Sequence, residues 1–377
     1  MVSERIVGSD CMLFLGAGAS APLGLRPTVQ FLELLQEQLP DLTNQRSGNS
    51  PDALGFAALF RQAGEHYETD PPDVELVLDY IDTLSSACDR LHSLPDEFQQ
   101  LAATAGVPNV HEQWASMLRA IRDDVRLVIV EHYSRVNGSE ALVLYEPLLT
   151  ALSRTTNVIP VFTTNYDWTF EHLIDEANGG FELVDGFRRD SFGEAWTRSA
   201  FDQLESIEEK VRLAVFKLHG STLWHRDTDN TIRKIPMTAP QLRESEAVLV
   251  FPTQSKTDAI LQEPFKTAYE YFEESLRHCR LCIVIGFSFR DLAINEVVKR
   301  ALINNSELKL AIVEPAMNQK PGVSFAELLN KLGLDDARWH DRLRVVVDRF
   351  GGDDVNQTLS ETIDNLDNWG NLEHWIS

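Results

Sequence analysis

The stretch Met12-Leu13-Phe14-Leu15-Gly16-Ala17-Gly18-Ala19-Ser20-Ala21 constrains this chain more than any other. A short apolar run ends in a turn with two glycines one residue apart, and a helical pattern follows. A buried strand therefore runs into a loop whose backbone can come very close to a ligand. The next helix aims its N–H groups and positive dipole end at the same place, which suits a phosphate or pyrophosphate. Gly16-x-Gly18-x-x-Ala21 is the G-x-G-x-x-A form of the dinucleotide fingerprint, a pattern that plain packing turns also produce. Three later loops decide between the two.

The chain has 377 residues, enough for one large α/β domain with a sizeable insertion or for two domains. Met1 leads through charged residues to the first strand with no secretory pattern, and the most apolar run, Leu281 to Phe287, is too short to cross a bilayer. A cytoplasmic chain without membrane contact is expected. Its four cysteines are Cys11, Cys88, Cys279 and Cys282. Cys279-x-x-Cys282 is half of a zinc knuckle with no second pair to complete it, and Cys282 falls inside an apolar strand pattern. Neither a metal site nor a disulfide is expected. The formal charge of −24 argues against a surface that grips nucleic acid by counterion release, so any such contact is left to a partner. A nucleotide site here must rely on backbone amides and helix ends.

After the glycine turn, Thr28 is an N-cap candidate for a helix carrying Val29, Leu32, Leu35 and Leu39. The second strand of a standard dinucleotide fold does not follow, since Asp41 to Pro51 is a polar loop. From about Pro51 to Arg154 the pattern is helical: Leu54 to Tyr67, a segment started by Asp70-Pro71-Pro72, Trp114 to Tyr133, and Ala141 to Leu152. Strands resume at Val158 to Phe162, where Pro160 suggests an edge or a bulge. Further strands are expected at Leu213 to Leu218, Ala247 to Phe251, Leu281 to Ile285, Leu308 to Val313 and Arg344 to Val347. Residues 222 to 262 otherwise look loop-rich. The tail beyond Gly352 is acidic, with Trp369, Leu372, Trp375 and Ile376 as anchors.

In an open α/β sheet the carboxyl ends of the strands line the ligand crevice. Four strands end in polar or glycine-containing turns: Gly16 to Ser20, Thr163-Thr164-Asn165-Tyr166-Asp167, His219-Gly220-Ser221 and Gly286-Phe287-Ser288. A fifth ends in Glu314, where a carboxylate can take the ribose hydroxyls of an adenosine half. Taken singly, Asn165 with Asp167 could be a helix cap, His219 a core histidine and Gly286 a plain turn. Taken together, the chemically useful residues all fall at strand ends on one side.

These motifs resemble the sirtuin-like superfamily. G-A-G-x-S matches Gly16, Ala17, Gly18 and Ser20; T-x-N-x-D matches Thr163, Asn165 and Asp167; L-H-G matches Leu218 to Gly220; and the glycine–serine turn that contacts NAD matches Gly286 and Ser288. The resemblance implies an α/β fold, a Rossmann-like parallel sheet forming an NAD domain, built from residues 1–40 and 155–350. Residues 41–154 would be an all-helical insertion and 351–377 a C-terminal tail. It also implies that Asn165 orients a water or the ribose hydroxyls, that His219 is the general base, and that Asp167 holds the nicotinamide end. The G-I-P-x-F-R loop of the deacylases is absent, as is their four-cysteine zinc module. The layout is similar to the stand-alone sirtuin-like NADases of bacterial antiphage defence, which act in assemblies, some beside a HerA-type ATPase. The expected reaction is hydrolysis of NAD, as substrate, to nicotinamide and ADP-ribose by a homo-oligomer. An NAD-dependent protein deacylase or ADP-ribosyltransferase is the alternative within enzymes, and a non-catalytic NAD or ADP-ribose sensor is the alternative outside them.

Overall fold

The first strand, β1 (Cys11–Leu15), is buried at every position, as a strand covered on both faces must be. The computed structural model describes residues 4–26, 30, 31, 33–35, 52–68, 74–92, 111–203, 210–235, 246–249, 260–313, 325–334 and 337–371. Around β1 lies a seven-stranded parallel sheet of order β12-β11-β10-β1-β2-β6-β3. Its other members are β2 (Val158–Thr163), β3 (Phe181–Val184), β6 (Val211–Lys217), β10 (Leu281–Ile285), β11 (Lys309–Val313) and β12 (Leu343–Val346). The order reverses at β1, which pairs β2 on one side and β10 on the other, and the carboxyl ends of strands at such a switch point are where open α/β sheets place their ligands.

Alternation along each strand sorts the core into two layers. Leu13 and Leu15 of β1, Leu213 and Val215 of β6, and Ile283 and Ile285 of β10 point into one apolar cluster. Met12, Phe14, Ala214, Phe216, Cys282 and Val284 point into the other. The second layer is closed by helix Phe265–His278, through Tyr271, Phe272 and Leu276, and by helix Leu292–Asn304. The first layer is closed by the helices between β1 and β2: Asp52–Tyr67, Val74–His92, His111–Tyr133 and Gly138–Ser153. Their apolar positions, among them Leu59, Ile81, Val125, Leu148 and Leu152, share one continuous core with the sheet. Among the described residues of 52–153 there is no strand. The expected α/β architecture with a large helical insertion is therefore what the chain adopts.

Four expectations need correction or completion. First, β2 is not an edge strand: it lies between β1 and β6, and Pro160 is buried in it. The ladder with β1 begins at Val161, one residue past the proline, so the missing N–H costs no bond there. Second, a five-stranded antiparallel sheet of order β4-β5-β8-β7-β9 lies between residues 187 and 249, and of its strands only the one expected at Ala247 to Phe251, found as Glu246–Leu249, is legible in the sequence. It comprises β4 (Phe187–Asp190), β5 (Gly193–Trp196), β7 (Gly220–Arg226), β8 (Ile232–Lys234) and β9 (Glu246–Leu249). Third, the acidic tail opens with a helix, Asp353–Asp364, whose Val355, Leu359 and Ile363 are buried. Arg154 donates to its Asp364 at 2.9 Å, which ties it to the end of helix Gly138–Ser153. Fourth, the anchor expected at Trp369 packs within the chain itself: Trp369 is buried, its indole N–H donating to the Asp341 carbonyl at 2.8 Å. Thr28, Val29, Leu32, Leu39, Glu314, Leu372, Trp375 and Ile376 lie outside the described residues.

Cys11, Cys279 and Cys282 are buried free thiols, and burial pushes Cys11 up to about 12, which keeps it protonated. No group of residues able to hold a metal, and no helix long and apolar enough to cross a membrane, occurs among the described residues.

The glycine turn after β1 fits because another glycine faces it. A Cβ at Gly16 would fall 2.6 Å from the Gly286 carbonyl oxygen, and one at Gly18 2.8 Å from the Gly286 Cα. Gly286 itself has φ +65°, and its Cβ would stand 2.2 Å from the Ala19 nitrogen. Gly286→Ala therefore combines left-handed strain of about 1–2 kcal/mol with overpacking of about 1–3 kcal/mol. Gly24→Ala carries only the first of these, since Gly24 has φ +79° and nothing within 4 Å of the new Cβ. Urea unfolding of both variants should place Gly286→Ala clearly below Gly24→Ala; equal losses would contradict this packing account.

Candidate active site

The turns at the strand ends hang from one another. Gly16 N–H donates to the Ile285 carbonyl at 2.9 Å, and Gly18 N–H to that of Gly286 at 2.9 Å. Thr164 N–H donates to Leu15 at 3.0 Å, Leu218 N–H to Thr163 at 2.8 Å, and Gly286 N–H to Val313 at 3.2 Å. The parallel ladders thus continue past the last residues of β1, β2, β6 and β10 and fix all four turns in one row. The segment after Gly16 is a 3-10 helix, Ala17–Leu23, rather than an α-helix.

Within that row Asn165, Ser20 and Asp167 form a buried knot. The Asn165 amide donates one hydrogen to the Gly16 carbonyl at 2.9 Å and the other to the Ser20 hydroxyl at 2.9 Å. Ser20 in turn donates to Asp167 Oδ2 at 2.6 Å. Asp167 Oδ1 accepts from the Thr169 N–H at 3.1 Å, so Asp167 does serve the start of helix Thr169–Glu176. Thr163 uses its hydroxyl to accept from the Asn165 N–H at 3.0 Å, which holds the turn. With both amide hydrogens committed, Asn165 Oδ1 is left buried and without a hydrogen-bond partner. A buried unpaired acceptor costs about 1–3 kcal/mol, and native chains keep few of them.

His219 lies between β6 and β7, with its ring centroid 6.4 Å from that of Tyr166. Its Nε2 is 3.1 Å from Asp291 Oδ2. Asp291 caps helix Leu292–Asn304, its Oδ1 accepting from Ala293 and Ile294 at 3.1 and 3.2 Å. A carboxylate can only accept, so Nε2 carries the proton and Nδ1 is the basic nitrogen of the neutral ring. The sequence reading did not include Asp291. An Asp before Leu292-Ala293-Ile294 announces a helix cap, but nothing local announces a histidine far away along the chain.

The remaining expected residues divide. Gly16, Gly18 and Gly286 meet in the row, with Ala17 half-buried beside them. Ser20 faces inward to Asn165 and Asp167. Ser288 is exposed, and its carbonyl accepts from the Lys331 ammonium at 3.1 Å. From the helical side, Tyr145 donates to the Ala19 carbonyl at 3.3 Å. Burial and the Asp167 charge push that phenol well above its usual range.

A second histidine on the same β-ribbon behaves differently. Burial pulls His225 of β7 down to about 4, so it is neutral at pH 7. The unfolded chain binds this proton near pH 6.5 and the folded chain only near 4, so acidification across that window favours unfolding. The urea midpoint should fall between pH 6.5 and 4.5, and His225→Gln should make that fall shallower. An identical slope in both proteins would reject His225 as a contributor.

Residues 160–335 match the family described as the SIR2-like domain. Solved structures similar to the chain include a Sir2 homologue in complex with NAD, 13% identical, covering 96% of this chain and 92% of that one, with a TM-score of 0.38. They also include a mutant Sir2 homologue in complex with ADP-ribose, 13% identical, covering 96% and 95%, with a TM-score of 0.40. No curated protein matches the chain. The family match spans Asn165, Asp167, His219, Gly286, Ser288 and Asp291, and by that match the chain is similar to the sirtuin-like superfamily.

Proposed function

We propose that this crevice binds NAD and hydrolyses it to nicotinamide and ADP-ribose. The observation that carries the reading is Asn165 Oδ1, a buried acceptor held at the strand ends with both amide hydrogens spent elsewhere. A water or ribose hydroxyl is the donor such an atom needs, and bound there it would be fixed in direction. His219 supplies a base whose ring is oriented by Asp291. In the net reaction the bond from the ribose C1′ to the nicotinamide nitrogen breaks and a water oxygen bonds to C1′. The electron pair leaves with nicotinamide, and a proton passes to His219. Asp291 would stabilise the imidazolium so formed. The diphosphate would lie along the backbone amides of the Gly16 to Ser20 turn, near Gly286 and Ser288, with Glu314 on the adenosine ribose.

In this reading residues 1–40 and 155–350 form the catalytic domain, 41–154 a helical domain and 351–377 a C-terminal segment. The chain works as a homo-oligomer in the cytoplasm, as the NAD-depleting effector of an antiphage system, with a HerA-type ATPase as partner. The missing zinc-type cysteines support hydrolysis over peptide deacylation, because water is then the acceptor at hand.

Nicotinamide release by purified variants tests the chemistry, with melting curves to verify folding. His219→Ala and Asp291→Asn should each lose about 10²–10⁴-fold in kcat. Asn165→Ala should lose kcat as well. Ser20→Ala should lower kcat rather than only raise KM, because Ser20 holds Asn165 and Asp167, whereas Ser288→Ala should act chiefly on KM. Folded Asn165→Ala and His219→Ala proteins with wild-type rates would sink the proposed site. Tight NAD binding without turnover by the wild type would favour the sensor. The assembly proposal is tested by sedimentation beside activity: a monomer fully active without any partner would overturn it.

A further inference from the structure

Beneath the two halves of the crevice sits a lysine that the chemistry above does not use. Lys217 is the last residue of β6, in register with Thr163 of β2, and its side chain is 3% exposed. Its ammonium lies 3.0 Å from the Glu171 carboxylate, whose side chain is 13% exposed. It also donates to the Asp167 carbonyl and, at 3.2 Å, to the Ser221 hydroxyl. Ser221 passes the link on, donating to the Tyr166 carbonyl at 3.3 Å, while Thr222 N–H donates to the same carbonyl at 3.1 Å. One buried cation thus joins the turn that carries Asn165 and Asp167 to the turn that carries His219.

Such a group is expensive to keep. Removing a lysine and a carboxylate from water is costly, and an apolar pair of similar volume is often at least as stable. An ion pair kept for stability alone would need only Glu171, yet the remaining hydrogens go to the two catalytic turns. Their positions relative to each other decide whether the water held by Asn165 lies within reach of His219, and a misplacement of about 1 Å can cost about 10²-fold.

We propose that Lys217 is a positioning residue that sets the register between the Asn165 turn and the His219 turn. The proposal rests on the hydrolysis reading. Its test compares Lys217→Met with the double variant Lys217→Met/Glu171→Gln, using melting temperature, ADP-ribose affinity by calorimetry, and kcat for nicotinamide release. The single variant leaves Glu171 buried without its partner and should melt lower. The double variant removes both charges and should recover most of that loss. ADP-ribose should bind the double variant within a few-fold of wild type while kcat stays down by about 10²-fold. Recovery of kcat together with melting temperature would make Lys217 half of a structural ion pair and overturn the proposal while hydrolysis stands. A wild type that releases no nicotinamide from NAD would instead overturn both.

Discussion

The contact on which the rest of the molecule depends is backbone against backbone: the Gly16–Gly18 turn seated on Gly286. β1 and β10 are paired in register along their whole length, so their terminal turns must meet, and side chains on either would hold them apart. The close seating is what lets Gly18 N–H reach the Gly286 carbonyl and bring Ser20 back over the end of β2. The glycines are therefore explained first by one turn's approach to another. Any approach by a phosphate is a second use of the same geometry.

From that seating follows a division of labour among polar groups. Ser20, Thr163 and one edge of Asn165 are consumed in building the floor, through bonds to Asp167, to the Asn165 amide and to Gly16. What the floor leaves uncommitted is the buried Asn165 amide oxygen, and beside it stands an imidazole oriented by a carboxylate. The floor is costly in desolvation, and nearly every member of it is satisfied, as a buried polar network must be to hold one geometry.

Much of this was legible in the sequence because parallel strands put their carboxyl ends on one side, so a motif's place in a strand–turn pattern fixes its place in space. The Thr163 to Asp167 turn, His219 and the Gly286 turn all obey that rule, and the helices of the insertion obey the 3.6-residue period. What escaped is of a different kind. The antiparallel sheet is made of strands as short as Ile232–Lys234, whose alternation is too brief to stand out from a loop. Pro160 misled because a proline is tolerated inside a sheet where one neighbour's ladder has not begun. The helix Asp353–Asp364 did carry apolar positions at Val355, Leu359 and Ile363, but its acidic composition hid them. Asp291 was silent because a cap and a histidine partner are the same residue type.

The helical insertion couples the face of the sheet to the glycine turn. Leu13 and Leu15 of β1 are buried in one apolar cluster with Leu148, Leu149 and Leu152 of the insertion, not turned to solvent. On the same side Tyr133 donates to the Arg26 carbonyl at 3.1 Å, His132 accepts from the Arg26 N–H at 2.9 Å, and Tyr145 reaches Ala19. The insertion is thus the outer wall of the sheet and the far abutment of the glycine turn at once. Deleting it would not leave a smaller sheet domain intact but would strip one face of a parallel sheet to water. A force applied to those helices from outside would be delivered to the turn within one residue of Ser20.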